Sequence, residues 1–89
     1  MPLDPDVLNR AIALMEVGDW QAAHAIVQQD ANSPLACWAH GIVHLMEGDL
    51  PNARYWYGEA GRGFPEGGSA IAEEIKALRS SIGIGLAKK

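Results

Sequence analysis

Two histidines in the stretch CWAHGIVHLMEGD, residues 37–49, have the type and spacing of metal ligands. His40 and His44 are four residues apart, and Glu47 follows three residues after His44. On a helix these three side chains line one face, each about one turn from the next. Imidazole nitrogens arranged in this way bind Zn²⁺ or another divalent ion when they converge on one point.

The remaining histidine, His24, is predicted to lie on the apolar face of the preceding helix. If that helix packs against the helix carrying His40 and His44, all three imidazoles meet. A metal site would then use His24, His40 and His44, with Glu47 as the candidate fourth ligand. The helical pair reads HGIVH, so it lacks the interior glutamate that acts as general base in zinc proteases of the HExxH type.

Two other interpretations of the histidines remain open. In the first, the imidazoles hydrogen-bond to Asn52, Tyr55 or Gln28 in a structural network that needs no cofactor. In the second, they form a small-ligand pocket that responds to pH, because buried histidines change charge near neutrality. The structural network is favoured, since perturbed titratable clusters also arise for structural reasons. The predicted polar cluster comprises His24, His40, His44, Glu47, Asn52 and Tyr55.

No catalytic residue is predicted. Ser33 and Ser69 are explained as helix caps, and no serine lies in a nucleophile-elbow pattern. Cys37 precedes His40 by three residues, but no third group is available to orient such a pair. The sequence therefore favours a protein that is not an enzyme.

Five helices are predicted to position these residues. The pairs Gly18-Asp19 and Gly48-Asp49 are turns 30 residues apart, in which glycine ends one helix and aspartate caps the next. No charged residue occurs between Ala31 and Met46, which is typical of a helix in the middle of a bundle. We predict one all-α domain, residues 1–89, with hairpins at 4–30 and 33–62, a linker at 63–68, a capping helix at 69–82 and a tail at 83–89.

The aromatic run at residues 55–57 points to three sides of its helix, so one apolar stripe cannot bury all of it. We expect Trp56 or Tyr55 to pack under the capping helix, against Ile71 and Ile75. The alternative is a contact with a partner protein, where Trp and Tyr are typical anchors.

The second hairpin resembles a tetratricopeptide repeat. The matching residues are Gly41, Gly48, Asp49, Leu50, Ala53, Tyr57, Ala60 and Pro65, while the first hairpin keeps Gly18, Asp19, Trp20 and Ala23. The resemblance implies a right-handed stack of two antiparallel helical hairpins, closed by the capping helix. A weaker resemblance, to small uncharacterised bacterial proteins, rests on the patterns His-x-x-x-His, Glu-x-Asp and Asn-Ala-x-Tyr-Trp within residues 40–56. It implies no activity.

The repeat resemblance also implies a concave face that binds proteins or peptides. In this sequence the face is apolar, and it lacks the Lys, Arg or Asn that would bind a peptide carboxylate. We expect the C-terminal helix, a second subunit or a partner helix to cover it. The predicted function is a protein-interaction module that self-associates as a homodimer through Leu8, Ile12, Met15, Trp38, Ile42 and Leu45.

Composition narrows the partners and the compartment. The 89 residues carry a net charge of -4, and nucleic acid or an anionic membrane would instead require clustered Lys and Arg. The single cysteine forms no internal disulfide, and the start MPLDPDVL does not have the basic and apolar regions of a signal peptide. No apolar run reaches the length of a membrane span. We therefore expect a cytoplasmic protein.

Overall fold

A computed structural model describes residues 3–65 and 70–87, with side chains up to residue 82. This part of the chain forms five helices and contains no β-strand: α1 (Pro5–Glu16), α2 (Trp20–Val27), α3 (Pro34–Glu47), α4 (Leu50–Ala60) and α5 (Ala70–Ala87). The predicted all-α class is confirmed for these residues. The right-handed repeat arrangement stays a prediction.

Aspartates begin three of the helices. Asp4, Asp19 and Asp49 each accept a hydrogen bond from the backbone N–H three residues later, which satisfies a donor that the first turn would leave unpaired. Gly48 follows α3 with φ of 87°, a left-handed conformation that glycine adopts without steric cost. The predicted cap at Ser33 differs, because among the described residues its side chain makes no capping bond.

The last helix is longer than predicted. It was expected to end at residue 82, but it continues to Ala87. Gly83 and Gly85 were interpreted as the start of a tail, yet an interior glycine costs a helix only about 1 kcal/mol and does not break it as proline would. The predicted cap Ser69 and the end of the predicted linker lie outside the described residues.

Helix α3 lies at the centre of the fold. It contacts each of the other four helices, and its residues 36–43 are all buried. An uncharged helix in the middle of the bundle was predicted from the sequence, and the structure confirms it. Helix α1 also contacts α2 and α5. The N-terminal and C-terminal helices therefore pack against α3 and against each other.

The predicted interaction face is buried inside the monomer. Of its six residues, Leu45 is partly buried, and the other five, Leu8, Ile12, Met15, Trp38 and Ile42, are at most 4% exposed. They share one core with Ile75, Leu78 and Ile82 of α5. Of the three covers considered for this face, the structure therefore provides the C-terminal helix. No partner can contact these buried side chains while α5 is in place, so the structure does not present them as an interaction surface. Self-association as a homodimer stays a prediction.

Polar contacts fasten α5 over that face. Oε1 of Glu74 accepts hydrogen bonds from Trp38 Nε1 at 3.0 Å and from the Tyr57 hydroxyl at 2.7 Å. Arg79 also pairs with Glu16 of α1 at 2.8 Å. Among the described residues, no helix has both the length and the apolar character needed to cross a membrane.

Candidate metal centre

The three histidines of the chain lie together on one side of the bundle. The ring centroids of His24 and His40 are 4.9 Å apart, those of His24 and His44 are 5.3 Å apart, and those of His40 and His44 are 5.1 Å apart. One nitrogen from each ring falls within 4.8 Å of the other two. The imidazoles therefore form a nearly equilateral triangle that can converge on one ion.

Two helices supply this triangle. His40 and His44 lie one turn apart on α3, and His24 comes from α2, which packs against α3. The short connection after α2 holds the two helices in register. In it, Asp30 is 3% exposed and accepts hydrogen bonds from the backbone N–H groups of Asn32 and Ser33.

The Asp30 carboxylate also accepts the backbone N–H of Leu3, which ties the start of the described chain to this connection. Burial alone would raise the pKa of Asp30. Hydrogen bonds from the Ser33 side chain and from the three backbone donors outweigh it and lower the pKa to about 2. The carboxylate is consequently ionised at neutral pH, and it accepts strong hydrogen bonds.

His40 is the most enclosed of the three histidines. It is 5% exposed, and its Nδ1 is buried with no hydrogen-bond partner among the described residues. Burial, followed by the charges that His24 and His44 would carry when protonated, lowers the pKa of His40 to about 4. The imidazole is therefore neutral at pH 7, which is the form that binds metals.

Trp56 of α4 covers one face of His40. The two rings are nearly parallel, with centroids 3.9 Å apart and an angle of 9° between their planes. Gly41 permits this close packing of α4, because a Cβ at this position would lie only 2.5 Å from Tyr57 Cδ1. The small residue beside His40 thus allows the tyrosine and the neighbouring tryptophan to lie against α3.

Glu47 has a different position from the one predicted. Its Oε1 lies 2.8 Å from Nδ1 of His44, so it contacts the back of that ring and does not complete the triangle of imidazoles. Because a carboxylate only accepts hydrogen bonds, Nδ1 of a neutral His44 carries the hydrogen and Nε2 keeps its lone pair. Glu47 therefore orients His44, as carboxylates behind metal-binding histidines commonly do.

The other members of the predicted polar cluster do not join the histidines. Asn52 donates through Nδ2 to Asp49 at 2.6 Å, and Tyr55 is 56% exposed with its ring edge-on to Trp56. Within the described part of the chain, no hydrogen bond links an imidazole to Asn52, Tyr55 or Gln28. The structural network does not form through these partners.

Sequence reasoning missed the contact between Trp56 and His40. Trp56 or Tyr55 was expected under the capping helix, but it is Tyr57 that reaches α5, through Glu74. The turn at Gly48-Asp49 contained the necessary signal. His40 lies eight residues before Gly48 and Trp56 lies seven residues after Asp49, so an antiparallel hairpin places them side by side.

No protein-family model, curated protein or solved structure matches the chain. The resemblance to tetratricopeptide repeats and to proteins with the His-x-x-x-His pattern stays a prediction from the sequence.

Proposed function

We propose that the protein binds one divalent transition-metal ion through His24, His40 and His44, and that Zn²⁺ fits the site best. The spacing of the three rings is the observation that carries this proposal. Three imidazoles bound to one zinc ion at about 2.0 Å, with tetrahedral angles, have ring centroids about 5 Å apart. The observed separations of 4.9, 5.1 and 5.3 Å agree with that value on all three sides of the triangle.

The state of the ligands supports the same proposal. His40 is neutral at pH 7, and its buried Nδ1 lacks a hydrogen-bond partner among the described residues. A metal ion bound at Nδ1 would satisfy this atom. Glu47 sets the tautomer of His44 and leaves its Nε2 available, as carboxylates commonly do for histidines that bind zinc.

The triangular arrangement also discriminates among metals. Cu²⁺ and Ni²⁺ favour square-planar sites, in which two of any three ligands lie opposite each other and their rings are about 6 Å apart. No pair of rings here exceeds 5.3 Å. The separations instead suit three corners of a tetrahedron, the geometry that Zn²⁺ and Co²⁺ adopt readily.

The test is a competition titration in which the protein and a coloured chelator compete for Zn²⁺. We expect one bound ion per chain, and a loss of at least about tenfold in affinity for His24→Ala and for His44→Ala, because each variant removes a ligand. Gln28→Ala is the matched control, since this exposed residue lies just past the end of α2 and beyond His24. Equal affinities for all four proteins would refute the site.

Stability provides a second measurement. Because the ion joins α2 to α3, it binds the folded state and should raise the melting temperature as its concentration rises. The two alanine variants should lose this increase, whereas Gln28→Ala should keep it. A histidine cluster that is purely structural would lower the melting temperature in both variants without any dependence on zinc.

The homodimer predicted from the sequence would need a surface other than the buried face.

A further inference from the structure

We infer that the fourth coordination position of this metal is filled from outside the chain, by an exchangeable small donor carrying no more than one negative charge. The inference rests on the proposed metal site. A metal held by three histidines with its fourth position open to solvent is the arrangement found in catalytic rather than structural zinc sites.

Within the residues that the structure describes, no fourth side chain completes the site. The group of metal-binding atoms that lie within 4.8 Å of one another contains His24, His40 and His44 and no cysteine or carboxylate. Glu47 and Asp49 form a separate group with His44, and both are engaged elsewhere. Glu47 is bonded to His44 Nδ1, while Asp49 caps α4 and accepts two hydrogen bonds from Asn52.

Cys37 is the remaining soft ligand close in sequence, and it is not available. Its side chain is 1% exposed, and its Sγ donates to the carbonyl of Ala31 at 3.3 Å. Burial, reinforced by the negative charges of Asp30 and Glu59, raises the pKa of the thiol and disfavours the thiolate that binds metals. None of the side chains that the structure describes therefore supplies a fourth ligand, and a donor from solution would complete four-coordination.

The three rings differ in how far they are enclosed. His40 is enclosed by Trp56, whereas His24 and His44 are only partly buried. An incoming donor consequently approaches past these two rings. If a metal ion occupied the site, a molecule bound at its fourth position would be polarised, so the three histidines would permit Lewis-acid chemistry.

Charge limits the kind of donor. Three neutral imidazoles leave the two positive charges of the ion uncompensated by its direct ligands, so a monoanion is attracted. Glu47 and Asp49 lie on the His44 side, and their charges oppose an anion with two or more negative charges. Azide, cyanide and a small thiolate each carry one negative charge and meet this limit. Sulfate carries two negative charges and does not.

The experiment uses the full chain loaded with Co²⁺, whose visible absorption bands report the number and type of its ligands. We expect four-coordinate bands when Co²⁺ alone is added, then a saturable shift with a stoichiometry of one azide per metal. Sodium sulfate at matched ionic strength should leave the bands unchanged. Native mass spectrometry of the same samples should show one metal per monomer.

The outcomes separate this inference from the proposed function. Four-coordinate Co²⁺ bands that azide does not shift would overturn the inference and leave the three-histidine site standing. A metal-dependent doubling of mass would also overturn it, because a second copy would then supply the fourth ligand. An equal response to sulfate and azide would refute the charge limit. If the spectrum stayed that of hydrated Co²⁺, with no intense four-coordinate bands, the metal site itself would be rejected, and the inference with it.

Discussion

The indole of Trp56 lies flat against the imidazole of His40, with centroids 3.9 Å apart and an angle of 9° between the planes. This stack joins α4 to the most buried ligand of the candidate metal centre. It excludes water from one face of His40 and restricts rotation of the ring. Both effects hold the ring in the orientation at which it meets His24 and His44, so Trp56 is a positioning residue of the site.

Replacement of Trp56 by alanine should weaken both the fold and the metal site. We expect W56A to lower the free energy of unfolding by about 2 kcal/mol, because a partly buried indole loses its packing, and to reduce zinc affinity as His40 becomes free to rotate. Urea unfolding and chelator competition measure the two effects. Tyr55→Ala is the matched control, since Tyr55 is the adjacent residue and is 56% exposed. Equal behaviour of the two variants would contradict the positioning role.

Glu47→Gln tests the orientation of His44 with little change of shape. The carboxylate fixes the hydrogen on Nδ1 of His44, whereas a glutamine amide can satisfy either tautomer. Loss of such a partner typically costs a metal site 10- to 100-fold in affinity, and we expect a loss at the lower end of that range, about tenfold.

The apo form of this variant should unfold at nearly the wild-type urea concentration, because the bond is close to the surface and is screened by solvent. Chelator competition measures the affinity, and Glu59→Gln, an exposed glutamate on α4, provides the control. Unchanged zinc affinity in E47Q would show that Glu47 does not orient a metal ligand.

Much of this arrangement could be predicted from local sequence chemistry. The aspartate caps and glycine turns depend on a few neighbouring residues, and the lack of charge between Ala31 and Met46 predicts the burial seen at residues 36–43. The meeting of His24 with His40 and His44 follows from packing α2 against α3. These features need short-range geometry alone, so sequence patterns specify them.

Long-range contacts were harder to predict. The cover over the apolar face depends on α5, whose Glu74 bonds to Trp38 and Tyr57, residues 36 and 17 positions away. The local sequence of α5 shows that one of its faces is apolar, but it does not specify which other helices that face packs against. The place of Trp56 likewise depends on the register of the α3–α4 hairpin, because three consecutive aromatic residues offer three different faces.

Substitution by alanine should change the stability of the protein in opposite directions at Gly41 and Gly58. At Gly41 a Cβ would lie 2.5 and 2.8 Å from ring atoms of Tyr57, whose side chain is 1% exposed and bonded to Glu74. The ring cannot move away freely, so G41A should destabilise the protein by about 1–3 kcal/mol despite the better helix propensity of alanine.

At Gly58 the same Cβ would meet no described atom within 4 Å, so G58A should stabilise α4 by up to about 1 kcal/mol. Urea unfolding of both variants measures the difference. Two variants that change stability in the same direction would contradict the close contact between α3 and Tyr57.

The metal-free protein should lose stability as the pH falls from about 6.5 toward 4. In this range His40 takes up a proton in the unfolded chain but stays neutral in the folded protein. Burial and the neighbouring His24 and His44 lower the pKa of His40 from 6.5 to about 4. Between these values the unfolded state binds more protons than the folded state, so stability is fully present above about pH 6.5 and declines toward pH 4.

We expect a loss on the order of 2 kcal/mol between about pH 7 and pH 5, measured by urea unfolding in the presence of a chelator. His40→Phe keeps an aromatic ring against Trp56 but has no titrating group, so its stability should change much less over the same interval. If the free energy of unfolding of the wild-type protein changed as little as that of H40F between the two pH values, His40 would not be held neutral by its surroundings.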